Sequence, residues 1–297
     1  MSDSGPSPAL KGLLWILLAF FLYSVADAIL KQLTFFYPVV QVTWARYTFH
    51  LVLVVIWLGR RAPHACVSKR PVLQIGRGTF QFLSGMLFIA GVSLLPLADT
   101  LAIQFMAPVL VTALSVPILG EPVGLRRWLG VAAGFAGALI IIRPGISAVA
   151  AAALLPLVSA VFSALHQVMT RIATRHDSTM TSLIYPALVG ALVSSMAVPF
   201  FWAWPDALGW TLMVATGVIA GVGHFAHIRA LTLSPAATLA PFGYLNLVWG
   251  ALFGFLLWGD FPDVWTIAGA LIIMASGLYI FHRERVARQQ QRLAPES

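Results

Sequence analysis

The sequence predicts an all-α polytopic membrane protein. Ten transmembrane helices are expected, arranged as two inverted five-helix repeats with both termini cytoplasmic. Three observations predict it. Sixty per cent of the 297 residues are hydrophobic and only 9% are charged, against soluble norms of roughly 45–50% and about 25%. Apolar runs long enough to cross about 30 Å of hydrocarbon recur along the whole chain. The chain also resembles itself at a shift of about 139 residues. Length alone would suggest two soluble domains, but a mean hydropathy of +0.89 leaves no adequate water-facing surface for them.

A span needs about 20 mostly apolar residues. Such runs fall at roughly 12–31, 38–58, 72–94, 97–117, 125–143, 148–171, 178–201, 208–229, 235–258 and 262–282, and are spans 1 to 10 below. The gaps are short and punctuated by Tyr37-Pro38, Leu95-Pro96, Gly120-Glu121-Pro122, Arg143-Pro144-Gly145, Ser234-Pro235 and Gly259-Asp260-Phe261-Pro262. None has room for a soluble domain. The opening MSDSGPSPALK lacks the basic region and cleavage site of a signal peptide, so the first run is expected to stay as span 1.

Orientation follows from the basic residues. Fourteen Lys and Arg, from Lys11 through Arg60, Arg61, Lys69, Arg70, Arg126, Arg127, Arg171, Arg175 and Arg229 to Arg283, Arg285, Arg288 and Arg292, fall in one set of alternate loops with both termini. The opposite set holds Lys31 and Arg143 alone, while Arg46 and Arg77 lie inside spans. The positive-inside rule then puts both termini in the cytoplasm. A pI near 10.3 therefore reports topology. No basic stretch with interleaved aromatics is present, so nucleic acid is not an expected partner; the bilayer is, with the basic tail 284–297 beside anionic lipid. Cys66 is the sole cysteine, which excludes an intramolecular disulfide.

Residues 94–140 align with 232–280: Thr100-Leu101-Ala102 meets Thr238-Leu239-Ala240, Gly120-Glu121 meets Gly259-Asp260, and Gly130 meets Gly269. The same shift sets Tyr23-Ser24 over Phe162-Ser163 and Asp27 over His166. The repeats are read as 11–147 and 148–283. Five spans is an odd number, so the second repeat crosses the membrane in the opposite sense. Inverted repeats place a binding site near the midplane, with one half able to rock against the other.

The order LGEP closing span 4, a Gly-rich span 5, IIRPG after it, and LSPAATLAPFGYLNLVWGALFGFLLWGDFP in the second half resembles the drug/metabolite transporter superfamily, EamA type. The resemblance covers about residues 11–282, with Asp260 in place of the motif Glu. It implies secondary transport across a bacterial-type inner membrane without ATP; the chain has no GxxxxGK[ST]. It also implies that spans 1, 3, 4, 6, 8 and 9 surround a central cavity. Family members carry aromatic amino acids, riboflavin, S-adenosylmethionine, nucleotide sugars and drugs.

Asp27 is the one acidic residue well inside a span, and a charge in the bilayer core costs at least ~2.5–3.5 kcal/mol, which marks it as a functional candidate. It is expected about four residues from the outer end of span 1, roughly 6 Å deep. Arg46, about eight residues and roughly 12 Å into span 2, is its expected partner by snorkelling outward. The pair reads equally as a structural lock and as a coupling or substrate-binding site. His50 follows Arg46 by one helical turn, and His166 sits under Asp27 in the repeat; either suits proton relay or simple packing. His224 and His227 form HxxH on span 8, better suited to lining a polar cavity than to metal or haem, since no Cys or Glu accompanies them.

Span 4 presents Thr100, Gln104 and Pro108 at helical spacing with Phe105 alongside; span 9 presents Thr238, Phe242, Asn246 and Trp249, with Tyr244 adjacent. Amides, hydroxyls and rings near a helix-weakening Pro suit a midplane site for a planar solute, or simply glue helices. Gln81, Ser84 and Trp44 are weaker candidates. Gly130, Gly134 and Gly137, echoed by Gly269, Ser276 and Gly277, are close-packing faces that would also permit a homodimer. The reading is a secondary carrier of a ring-bearing metabolite such as riboflavin or an aromatic amino acid, with no catalytic residues, cofactor or metal. Export of drugs, S-adenosylmethionine or purines is the alternative. An intramembrane enzyme lacks a convergent nucleophile and base or a metal motif, and a scaffold lacks a soluble domain.

Overall fold

The structure, a computed structural model, describes residues 8–120, 124–143, 149–174 and 176–293. Glu121, Pro122, Pro144, Gly145 and Arg175 of the sequence reading lie outside the described residues. Ten helices are long and apolar enough to cross a membrane, and no strand occurs among the described residues. Span 1 is Pro8–Thr34, span 2 Val39–Leu58, span 3 Pro71–Leu94, span 5 Leu125–Ile142, span 6 Val149–Ala173, span 7 Thr179–Ala197, span 8 Ala207–Leu233 and span 10 Val264–Leu293. Span 4 (Leu97–Leu119) and span 9 are not continuous helices, as described below.

The ends are set locally. Pro71 opens span 3 in its first turn, where its missing N–H costs nothing. Ser178 and Asp206 cap spans 7 and 8, accepting from the Thr181 N–H at 3.1 Å and the Gly209 N–H at 2.7 Å. Gly120 and Gly259 end spans 4 and 9 in the left-handed conformation, which suits glycine. The surface left outside is apolar, with Ile56, Met196 and Leu256 more than half exposed. A helical bundle with such a surface satisfies its own backbone and presents hydrocarbon to lipid.

The principal packings pair spans 1 and 8, 3 and 6, and 5 and 10, followed by 2 with 8 and 7, 3 with 7, 4 with 6, and 1 and 4 with 9. Advancing every span number by five turns 1–8 into 6–3, 2–8 into 7–3 and 1–9 into 6–4. Pairs 5–10, 2–7 and 4–9 map onto themselves. One apolar core joins spans 4, 5, 6 and 10, around Met106, Val109, Ala160 and Ile273. Another joins spans 1, 2, 3, 4 and 8, around Leu30, Val42, Ile89 and Met213.

The ten spans fall where the sequence predicts, with one correction. Span 1 runs to Thr34, within a few residues of the expected end, and the Lys31 ammonium meets Asp260 at 2.7 Å. Spans 4 and 9 are broken. Span 4 is Leu97–Gln104 and Ala107–Leu119; span 9 is Ala236–Leu239, a 3₁₀ turn Ala240–Tyr244, and Leu245–Trp258. Pro108 and Pro241 have no N–H to give the carbonyl four residues back. The glycine face of span 5 packs closely on span 10, as the small-residue pattern predicts: a Cβ on Gly137 would stand 2.8 Å from the Gly269 carbonyl oxygen, and one on Gly134 3.0 Å from Ser276 Oγ.

Candidate functional site

The two broken helices face each other across a cavity of about 380 Å³. Span 4 contributes Gln104, Phe105 and Pro108, and span 9 contributes Tyr244 and Asn246. Phe20, Ser163, Gln167 and Phe281 complete the wall from spans 1, 6 and 10. The Phe105 and Tyr244 rings stand 5.1 Å apart, tilted by 33°. Gln104 Oε1 is buried and finds no hydrogen-bond partner among the described residues. Gln167 lies six residues before the Ala173 end of span 6, so the cavity sits toward the end of the bundle that carries both termini. The opposite end is fastened by Lys31–Asp260 and by Arg143–Asp263, each at 2.7 Å.

Beside the cavity is a charged cluster. Arg46 Nη1 is 3.5 Å from Asp27 Oδ1. With span 1 ending at Thr34 and span 2 starting at Val39, Asp27 and Arg46 are each seven residues in. Both sit roughly 10 Å deep at 1.5 Å per residue. The guanidinium need not snorkel outward to meet the carboxylate, which corrects the unequal depths expected from sequence. The Asn246 amide lies against Asp27 and its Oδ1 accepts from the fully buried Ser24 hydroxyl at 2.5 Å. Asn246 thereby joins cluster and cavity.

Histidine rings close the cluster. His50 and His224 stand 5.2 Å apart, and His224 is 5.4 Å from the Tyr23 ring. His227 contacts Phe20 at 5.7 Å. His224 is exposed although its ring is turned toward spans 1 and 2, so it borders open space. His50 Nε2 has no partner among the described residues. Asp27, Arg46, His50 and His224 are therefore brought together; His166 is not. His166 Nδ1 lies 3.0 Å from the Arg77 carbonyl, which accepts and so places the proton on Nδ1.

Several candidates lie away from the cavity. The buried Thr100 hydroxyl donates to the Pro96 carbonyl at 3.1 Å. Thr238 is exposed on the first helical turn of span 9, and Phe242 packs against the small core of Ile16, Ala230 and Leu239. Trp249 stacks on Phe253 at 6.3 Å. For Thr238 and Phe242 the 3₁₀ turn at 240–244 shifts the helical phase relative to Asn246, so residues spaced for one face point in different directions. Trp44 donates to Ser195 Oγ at 3.1 Å, and the Gln81 carbonyl accepts from the Tyr47 hydroxyl at 2.8 Å. Ser84 bonds Ser159 across spans 3 and 6.

Sequence reasoning passed over Arg77. It is buried, with its donors directed to Gln74 Oε1 at 3.2 Å, Thr170 Oγ1 at 3.1 Å and the Ser182 carbonyl. Those partners are spread over spans 3, 6 and 7, so no local spacing signals the cluster.

The EamA-like transporter family model matches residues 10–143 and again 150–281. The chain belongs to the EamA-like transporter family. It is a multi-pass membrane protein whose relatives are transporters of the drug/metabolite type. The chain is 25% identical to the S-adenosylmethionine uptake transporter of Rickettsia prowazekii, over 93% of this chain and 94% of that protein. It is 27% identical to the riboflavin transporter of Rhizobium johnstonii, covering 94% and 93%. It is 29% identical to the pseudopaline exporter of Pseudomonas aeruginosa, covering 90% and 94%. A crystal structure 18% identical to this EamA-family chain matches its fold with a TM-score of 0.63, over 95% of this chain and 99% of the other.

Proposed function

We propose that this EamA-family chain is a secondary active transporter of the bacterial inner membrane that moves a small, ring-bearing organic metabolite by alternating access. The observation that carries the reading is the cavity where broken spans 4 and 9 face each other, lined by Gln104, Phe105, Tyr244 and Asn246. Its volume of about 380 Å³ is within the roughly 300–1,000 Å³ typical of small-molecule sites. Support for inverted halves comes from the packing, which maps onto itself when each span number advances by five. The basic loops support cytoplasmic termini. With the Lys31–Asp260 end fastened and the cavity toward the termini, the structure reads as an inward-facing state.

Relatives that take up S-adenosylmethionine, carry riboflavin and export pseudopaline keep both directions of flux and several cargoes as candidates. The test is ligand-induced thermal stabilisation of the purified protein against flavins, aromatic amino acids, S-adenosylmethionine and purines. A ligand that binds only the folded state at 100-fold saturation adds about 2.7 kcal/mol. A hit lost in Gln104→Ala supports the cavity between spans 4 and 9; a hit that survives both Gln104→Ala and Asn246→Ala moves the site elsewhere.

The depth of Asp27 beside Arg46 favours a coupling role in the same carrier. In proteoliposomes, Asp27→Asn is expected to abolish dependence on the proton gradient. Unchanged gradient dependence in a folded variant removes Asp27 from coupling.

A further inference from the structure

We propose that Asp27 and Arg46 form the receptor for a zwitterionic head group, the solute's ammonium going to Asp27 and its carboxylate to Arg46. This rests on the carrier reading above and narrows its substrate class. The key observation is the looseness of the pair. The two groups share a single contact, Nη1 to Oδ1 at 3.5 Å. A charge-assisted hydrogen bond closes to about 2.7–2.9 Å, and arginine frequently makes two in parallel. Yet both side chains are withdrawn from water, Asp27 at 8% exposed and Arg46 at 23%.

Removing two charges from water is repaid only by close geometry with the remaining hydrogen-bonding capacity filled. The Asp27–Arg46 contact is not close, and although Asp27 also has the Asn246 amide, the guanidinium has no partner among the described residues beyond its one contact through Nη1. Two further buried atoms have no partner among the described residues, His50 Nε2 one helical turn after Arg46 and Gln104 Oε1 in the cavity wall. Buried polar atoms in folded proteins are overwhelmingly partnered. Arg77 supplies the contrast within the same fold: all three guanidinium nitrogens are engaged, by Gln74, Thr170 and Ser182. A buried arginine that serves structure is saturated here; Arg46 is not.

The unfilled capacity has both signs. A cation alone would take Asp27 and strand the guanidinium, and an anion alone would strand the carboxylate. A solute with ammonium and carboxylate on neighbouring atoms, as in an α-amino acid, serves both at once. Asn246, fixed by Ser24 and set against Asp27, also lines the cavity, so the rest of such a solute extends toward the facing Phe105 and Tyr244 rings.

The test uses matched ligands on the full-length protein, read as thermal stabilisation. L-phenylalanine is compared with phenethylamine, which keeps only the ammonium, and with 3-phenylpropionate, which keeps only the carboxylate. S-adenosylmethionine is compared with 5′-methylthioadenosine, which lacks the head. At least one zwitterion is expected to bind tenfold or more tightly than its clipped partners. Equal stabilisation by clipped ligands, or none by either zwitterion at millimolar concentration, overturns the head-group site. Asp27→Asn is expected to weaken the zwitterion at least tenfold and to strengthen 3-phenylpropionate, because Arg46 is released. A structural pair predicts no such reversal. Should that variant fail to fold, the ligand series on the unaltered protein decides alone. Counterflow in proteoliposomes separates the two readings. Exchange of riboflavin at a rate indifferent to Asp27→Asn overturns the head-group site and keeps the carrier. Stabilisation by a zwitterion with no exchange of any solute supports the head-group site and overturns the carrier.

Discussion

The Lys31 ammonium meets the Asp260 carboxylate at 2.7 Å, with the Leu95 carbonyl at 3.5 Å and the Trp258 ring centroid at 4.9 Å. One side chain at the end of span 1 thus ties down the ends of spans 3 and 9. Asp260→Asn leaves the ammonium buried without its anion. Because the Asp260 side chain is 36% exposed, the expected cost is about 2 kcal/mol, between ~0–1 for a surface pair and ~3–5 for a broken buried one. In a Cys66→Ser background, Asp260→Asn is also expected to speed labelling of Gln104→Cys by an impermeant thiol reagent from the side opposite the termini. Equal labelling with and without Asp260 means the bridge does not hold that end shut.

Two carboxylates outside the spans set the acid limit of stability. Burial pushes Asp177 up, but the Ser68 hydroxyl, the Gln74 amide and the Lys69 N–H outweigh it and hold the group below the usual carboxylate range. For Asp263 burial is likewise outweighed, by the Thr266 N–H and Arg143. A carboxylate lowered on folding contributes stability above its unfolded pKa of about 3.9 and loses it as the pH falls through the folded value. Melting temperature is expected to be flat from neutrality to about pH 5 and to fall below about 4. The gap between the unaltered protein and Asp177→Asn should shrink over the same acid range. A gap constant with pH contradicts this.

Tyr47 is wedged against Gly190, where a Cβ would fall inside the ring's own carbon envelope. The ring cannot swing away without giving up its bond to the Gln81 carbonyl at 2.8 Å. Gly190→Ala is therefore expected to destabilise by about 1–3 kcal/mol, the range for overpacking a filled site. Denaturation in mild detergent is the check, and a neutral result would mean spans 2 and 7 have slack.

Gln104 and Asn246 line the same cavity but differ in what their loss does to the fold. Gln104 Oε1 has no partner to lose, so Gln104→Ala is expected to change stability by less than about 0.5 kcal/mol while weakening solute binding. Asn246→Ala removes the amide oxygen that accepts from the buried Ser24 hydroxyl, which keeps the Phe20 carbonyl at 3.0 Å, and is expected to cost about 1 kcal/mol besides. Comparable melting temperatures for the two variants would sink this distinction.

The ten spans were legible because hydropathy acts on windows of about 20 residues, and Asp27 and Arg46 were legible because charge within such a window is costly. The Lys31–Asp260 bridge was not legible, since its two partners lie in opposite halves of the chain. Thr238, Phe242, Asn246 and Trp249 were placed on one face by assuming a uniform helix. Pro241 is visible in the sequence, but the phase shift of the 3₁₀ turn it produces is not. Gln104 and Asn246 survive the breaks because each lies beside one. Arg77 escaped because a buried arginine is interpretable only through its partners, and Thr170 and Ser182 arrive from spans 6 and 7.

The Gly137–Gly269 approach has an evolutionary consequence. Each glycine's missing Cβ is space occupied by the other's carbonyl oxygen, at 2.8 Å from one and 2.5 Å from the other. Neither position is free to acquire a side chain while its counterpart stays put. A methyl gained on span 5 has to be answered by a shift of the whole of span 10, which no single further substitution provides. Two sites in opposite halves of a duplicated chain are thus bound into one mutational unit, and divergence of the halves must proceed around it.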